Sequence, residues 1–290
     1  MLKPLYETFL QERHFLKNCS PKTLRSYRQA WQAFESVLAP VKEPDAIRPA
    51  VRAGVIEMMS AGRLQPSSIN VYLRAMNAFM RWGSLEEHFK PPIRSVSLLK
   101  TPTRVIPTLN EFQVQHIVGF KPKWLKERRV HSMAMLVLDT GLRLNECLQL
   151  EVADVDLENF LVTVRKGKGD KQRRVPISGV GRKVLYRYIN QGGDPARRFV
   201  FTTVNGTALT QRNADRDLKH MGRKLKLDLH WHLLRHCFGS LFIRNGGNVA
   251  DLQRIMGHAA ITTTMLYVHA QASDFVMAHN TLSPLARAAR

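Results

Sequence analysis

The sequence predicts a mainly α-helical protein of two domains, with one small antiparallel β-sheet in the second. Three observations carry this. Apolar side chains recur every three or four residues over several long stretches, which is the helical period. Two branched, alternating stretches, 160–165 and 172–177, flank a loop of glycine and lysine, which is a hairpin pattern. Between residues 90 and 107 the periodicity fades, and Pro91, Pro92, Pro102 and Pro107 mark a boundary.

Leu5, Phe9 and Leu10 open the first helix. Ser20 followed by Pro21 reads as a cap with proline at the first helical position. Leu24, Tyr27, Trp31, Phe34 and Leu38 then form one apolar face, with Lys22, Arg25 and Arg28 off it. Residues 39–49 hold three prolines and read as a connection. Pro66-Ser67-Ser68 opens another helix on Ile69, Leu73, Met76, Phe79 and Met80. Its Asn70, Arg74, Asn77 and Arg81 are placed to reach phosphates or base edges. Domain bounds follow at 1–90 for a helical unit, which suits either nucleic-acid binding or a purely structural bundle, 91–107 for a basic linker and 108–290 for the rest.

In the second domain Thr108 or Asn110 can cap a helix bearing Phe112, Val114 and Ile117. The apolar run 133–138 reads as a buried helix that stops at Asp139-Thr140-Gly141. A helix begun at that glycine places Arg143 in its first turn. A cation is disfavoured there unless an anion binds it, and Glu146 lies one turn on. A surface Arg–Glu pair explains this motif equally well. The hairpin loop, 166–171, carries Lys166, Lys168 and Lys171 together with Gly167 and Gly169, and by itself is an ordinary solvated turn. A short strand is expected at 199–201 and a basic helix at 214–227.

Composition limits the function. The chain has 290 residues, enough for two cores, and an ordinary hydrophobic share of 44%. Its 44 Lys and Arg against 23 Asp and Glu give a net charge of +21. Both parts are basic: the first hundred residues hold 15 basic and 8 acidic side chains, the remainder 29 and 15. This suits a polyanion, nucleic acid first, although a merely soluble basic protein has the same balance. The three cysteines have no metal-ligand spacing and fit a reducing compartment. No signal-peptide pattern and no run of 18 apolar residues is present, so a cytoplasmic protein without a membrane span is expected.

Chemistry concentrates between His230 and Tyr267. His232 and Arg235 are three apart, hence on one helix face. His258 follows 23 residues after Arg235, and Tyr267 nine after His258. Thr262-Thr263-Thr264 can start the helix bearing Tyr267. His230 and His236 read as fold-supporting. A histidine metal cluster lacks acidic or cysteine ligands at zinc spacing.

Taken in order, Arg143, Lys168, His232, Arg235, His258 and Tyr267 resemble the site of the tyrosine recombinases, also called the phage-integrase family. Thr140-Gly141-Leu142-Arg143-Leu144-Asn145-Glu146 is similar to the first-arginine motif, and Gly167-Lys168-Gly169 to the hairpin-lysine motif. His232-Leu233-Leu234-Arg235 matches H-x-x-R, while Gly257-His258 and Tyr267 match the last histidine and the nucleophile. Met256 where leucine is usual and Asp139 before Thr-Gly are small departures.

The resemblance implies a two-domain DNA clamp, with a SAM-like helical core-binding domain and a tyrosine-recombinase catalytic domain. Arg143 and Arg235 would neutralise the phosphate, and Tyr267 would form a covalent 3′-phosphotyrosine. Lys168 would protonate the leaving 5′-oxygen, and His232 would assist. His258 would bond the phosphate or orient Tyr267, with Glu146 and His236 supporting. No metal, ATP or other cofactor would be needed. DNA contacts are expected from Lys22, Arg25, Arg28, Arg74, Arg81, Lys166, Lys171 and Arg173. The partner would be double-stranded DNA with inverted-repeat half-sites, bound by a tetramer whose tail from residue 273 couples neighbouring subunits. A layout like that of the compact members is expected, without an arm-binding domain ahead of the helical one. A topoisomerase-like nicking enzyme and a non-catalytic DNA-binding protein are the competing readings.

Overall fold

The structure is a computed structural model that describes residues 2–101, 107–165, 172–191 and 197–268, the side chain of Gln191 excepted. The chain divides into two compact units, Met1–Arg104 and Val105–Arg290.

The first unit is helical. α1 spans Leu2–Phe15, α2 Pro21–Leu38, α3 Ile47–Ser60 and α4 Pro66–Leu85. Ser20 caps α2 by accepting from the Thr23 N–H at 3.2 Å. The apolar faces of these helices meet in one core, with Tyr6, Phe9, Phe34, Leu73 and Phe79 almost fully buried. Helix α3 begins at Ile47, inside the stretch 39–49 expected to be a connection, and runs on to Ser60 through residues to which no element was assigned. Pro49 sits in its first turn, where the missing N–H costs nothing. Asn70 and Asn77 take another role than expected. Each exchanges two hydrogen bonds with the backbone of the following extended segment: Asn70 with Leu99 at 2.9 and 2.8 Å, Asn77 with Val96 at 2.8 Å both ways. Seven residues apart, they lie two turns apart on one face of α4 and hold the segment along it. Val96 is buried in the helical core.

In the second unit, α5 spans Glu111–Val118, α6 Leu125–Thr140 and α7 Leu144–Leu148. Asn110 caps α5, accepting from the Gln113 N–H at 2.9 Å. Strands β1 (Val155–Asp156), β2 (Leu161–Val164) and β3 (Arg173–Pro176) form an antiparallel sheet in sequence order. Val162 pairs with Val175, both turned into the core. Then come α8 (Gly179–Gln191), α9 (Gln211–Leu225), α10 (Trp231–Arg244), α11 (Val249–Met256) and α12 (Ile261–Thr264), closed by a 3-10 turn, Met265–Tyr267. The expected strand at 199–201 is only an isolated bridge, Glu151 with Phe199.

Helix α6 is the centre of this unit, packed against α8, α9 and α10. Its apolar run from Met133 to Val137 is almost wholly out of solvent. A buried ion pair ties it to α9: Arg129 donates to Asp217 at 2.6 Å and to the Thr202 carbonyl at 2.6 Å. Tyr267 belongs to a separate small cluster with Leu252 and Met256, against which Phe238, Phe242 and Ile243 pack. Among the described residues no helix is long and apolar enough to cross a membrane.

Candidate active site

The site forms where three helix ends meet: the end of α6, the start of α10 and the end of α11. Gly141 closes α6 with φ of 64°, and the Phe238 ring lies where a Cβ would be. Only glycine satisfies both demands. Arg143 follows in extended conformation as the cap of α7, not inside its first turn as the sequence suggested. The glycine ends one helix and does not begin the next. Arg143 therefore reaches protein groups: Nη1 donates to Glu146 Oε1 at 3.0 Å, and Nη2 to the Gly257 carbonyl at 3.2 Å. Its backbone N–H donates to Glu146 Oε2 at 2.8 Å.

His230 caps helix α10, its Nδ1 accepting from the Leu233 N–H at 3.0 Å. This histidine is a cap, which fixes its tautomer. Five residues on, Arg235 is buried. It donates to the Gly141 carbonyl, to the Met256 carbonyl at 2.9 Å and to His258 Nε2 at 2.9 Å.

The last carbonyls of α11 have no partners within the helix and carry the negative end of its dipole. Here they gather three guanidinium groups. Arg143 and Arg235 take Met256 and Gly257, and Arg173 donates to the Ile255 carbonyl at 3.0 Å. Gly257 has φ of 64°, and a Cβ there would stand 2.9 Å from the Arg173 guanidinium carbon. Arg173 was expected on DNA; the structure turns it inward. It forms two parallel bonds to Glu146, at 2.9 and 2.8 Å, and its side chain is 13% exposed. Pairing a planar fork with a carboxylate across the site outweighs exposure at the hairpin root. One carboxylate among three guanidinium groups leaves a formal excess of +2, which suits a bound phosphate.

Electrostatics follow burial. Glu146 is pulled in two directions: burial pushes its carboxyl up, and the bonds from Arg173 and Arg143 outweigh this, leaving it below the usual range. Burial, then the charges of Arg235 and Arg143, pushes His258 down to about 4. His258 is neutral, and its nitrogens are both committed. Nε2 accepts from Arg235, so the proton is on Nδ1, which bonds Thr264 Oγ1 at 2.9 Å. Burial pushes Arg235 down to about 10, so it stays charged at neutral pH.

Tyr267 is 6% exposed. Its ring lies parallel to that of His258, centroids 6.2 Å apart, and over Gly239 of α10. Its hydroxyl is 2.9 Å from His236 Nδ1. Burial raises the phenol's pKa, and the positive charges of Arg235 and Arg143 work against that rise. His232 is exposed one turn before His236, with ring centroids 6.4 Å apart.

The structure thus brings Arg143, Glu146, Arg235, His236, His258 and Tyr267 into one connected network, with His232 at its edge. Lys168, Lys166 and Lys171 lie outside the described residues, as does the tail from 269. Lys22, Arg25, Arg28, Arg74 and Arg81 are exposed on the first unit, and Lys22 and Arg74 line one concavity of about 390 Å³ between α2 and α4. Sequence reasoning missed Thr264 and Gly239. The signal was spacing: Thr264 stands one turn before Tyr267. Among the described residues no group of three His, Cys, Asp or Glu is arranged to hold a metal ion.

Residues 107–274 match the sequence pattern described as the Phage integrase family. The chain belongs to the phage integrase family. Its relatives include Tyrosine recombinase XerA of Saccharolobus solfataricus, 32% identical over 73% of this chain and 66% of that protein. Tyrosine recombinase XerC of Vibrio campbellii is 28% identical over 98% of this chain and 93% of the other. Among solved structures, the Tn1549 transposon integrase in complex with circular intermediate DNA superposes with a TM-score of 0.74. That match spans 94% of this chain and 97% of the integrase at 21% identity, a likeness of fold. Membership of this family places the chain among the tyrosine-type site-specific recombinases.

Proposed function

We propose that this phage-integrase-family chain cuts and rejoins double-stranded DNA at specific sites, with Tyr267 as the nucleophile. One observation carries the assignment. Tyr267 is bonded to His236 and stacked on His258, and His258 is bonded to Arg235 in a cradle of three guanidinium groups. Attack by Tyr267 would put extra charge on the non-bridging phosphate oxygens. Arg143 and Arg235 are the groups to bind it, released from the α11 carbonyls they now hold. The product is a 3′-phosphotyrosine, which conserves the bond energy for rejoining. Lys168 is assigned to protonate the leaving 5′-oxygen, and His232 assists at the edge of the site. His258 is neutral and holds Arg235 and the Tyr267 ring.

The remaining assignments belong to the same reading. Residues 1–90 form a core-binding domain and 91–107 a linker, with catalysis in 108–290. Lys22, Arg25, Arg28, Arg74 and Arg81 contact the DNA backbone, joined by Lys166 and Lys171. The protein acts in the cytoplasm as a tetramer on inverted-repeat half-sites, in integration, excision or resolution. The tail from residue 273 couples the subunits. The basic surface of both units and the relatives' names support this.

The test is exchange between two labelled duplexes carrying a site selected from a random pool by the full chain. Recombinant duplexes are expected with wild type and none with Tyr267→Phe. Nicking and resealing without exchange would replace recombination by a topoisomerase-like activity.

A further inference from the structure

We infer that His236 is a catalytic residue of this reaction: its Nδ1 takes the proton that the Tyr267 hydroxyl gives up on attack. The inference rests on the reading of Tyr267 as nucleophile and assigns the step that reading leaves open.

Among the described residues, the hydroxyl's hydrogen-bond partner is His236 Nδ1, at 2.9 Å. That is within reach for direct proton transfer. His258 is the obvious alternative, since its ring lies parallel to the tyrosine. Its nitrogens are spent on Arg235 and Thr264, so neither is left for the phenol oxygen. Tyr267 has little freedom to turn elsewhere. Gly239 leaves room for its ring against α10, and a Cβ there would stand 2.8 Å from it. His236 follows Arg235 directly on α10, so one helical turn carries a phosphate-binding group and a base at fixed separation.

The charged and titratable groups around His236 are His232, His230 and Arg235 from its own helix, His258 from the loop after α11, and Tyr267. Burial, then His232, Arg235 and His230, hold its pKa below the ordinary value, so its lone pair is free at neutral pH. With its proton on Nε2, Nδ1 accepts from the phenol. The same positive neighbours make the imidazolium a ready donor, which suits a reaction run in both directions.

The step balances. The Tyr267 Oη–H bond breaks as the Oη–P bond forms, and the proton moves to His236 Nδ1. The P–O5′ bond breaks, and the 5′-oxygen takes a proton from Lys168. In rejoining, a 5′-hydroxyl attacks phosphorus and returns its proton to Lys168, while Tyr267 leaves and recovers its proton from His236. A free phenol holds its proton about 3.5 pKa units more tightly than free imidazole. The transfer is therefore concerted with Oη–P bond formation, which acidifies the phenol.

The experiment is single-turnover formation of the covalent adduct by the full chain, on a nicked duplex selected from a random pool. His236→Asn keeps an acceptor near the Nδ1 position but cannot take the proton; His236→Ala removes both. Both should slow adduct formation about 100-fold or more while leaving gel-shift binding and Tm near wild type. The wild-type rate should fall on the acid side and level off above it, and His236→Asn should instead rise steadily with pH. A His236→Asn variant with the wild-type rate and profile overturns the proposal, because a positioning bond alone then suffices. If neither variant folds, 3,5-difluorotyrosine at position 267 of the otherwise unchanged chain decides. An acid limb that stays in place belongs to His236, and one that moves with the fluorines belongs to the phenol and overturns the proposal. Absence of any adduct from wild type removes the recombinase reading itself, a result distinct from an adduct that is indifferent to His236.

Discussion

Glu146 is a buried carboxylate shared by two guanidinium groups, and it keeps three arginines compatible in one small volume. Removing it leaves buried cations without a counter-charge. Glu146→Gln should therefore cost about 3–5 kcal/mol of stability, read as a lower denaturation midpoint of the second unit. Its pH dependence has a definite sign. Its pKa is depressed on folding, so its contribution is present above the usual carboxylate range and lost as pH falls through the folded value. The imidazoles act earlier on the same titration. His258 is lowered to about 4 and His236 is also lowered, so below the ordinary 6.5 the unfolded chain takes up protons first. Stability should fall as pH drops from 6.5 towards 4, and His258→Gln should flatten that slope; a Tm that rises on acidification contradicts it. The candidates Arg143, Arg235, His258 and Tyr267 were legible because their spacing survives in the sequence. The partner of Arg173 was not, because Glu146 is 27 residues away and only the fold brings them together. A basic side chain at a hairpin root reads alike whether it faces DNA or a buried carboxylate.

At the scale of elements, α10 presents Tyr267 with a surface only glycine allows. Gly239→Ala would put a methyl 2.8–2.9 Å from the tyrosine ring, and the ring must move. Adduct formation should drop by at least tenfold while DNA binding persists, since small displacements of a reacting group are costly. In the first unit, Asn70→Ala or Asn77→Ala leaves two backbone groups of the 93–99 segment unpaired. Each should cost about 1–3 kcal/mol, seen as faster hydrogen exchange at Leu99 or Val96. Helices with a single clear stripe, α2 and α4, were legible from their period. Helix α3 was not, because Pro49 reads as a breaker unless its place in the first turn is known. Helix α8 was missed too: Val184, Leu185, Tyr188 and Ile189 pack inward at helical spacing, between two glycines near its start and a polar end. Capping was readable where it used Ser20 or Asn110. It was hidden where His230 did the work, because an imidazole is an uncommon cap.

For the whole molecule, the charge of +21 is spread over both units. Binding should therefore weaken steeply with salt, in proportion to the phosphates neutralised. Deleting residues from Ser273 onward should reduce cooperativity on paired half-sites and leave the folding of both units unchanged, as read by gel shift and thermal melting. In the proposed reaction Tyr267 becomes covalently joined to DNA. Its most direct test is mass spectrometry of protease-digested adducts, formed by the full chain on a nicked duplex carrying its selected site. A nucleotide attached through a 3′-phosphate to the peptide containing Tyr267 is expected, and no adduct with Tyr267→Phe. An adduct mapped to any other residue, or one that persists in that variant, would contradict it.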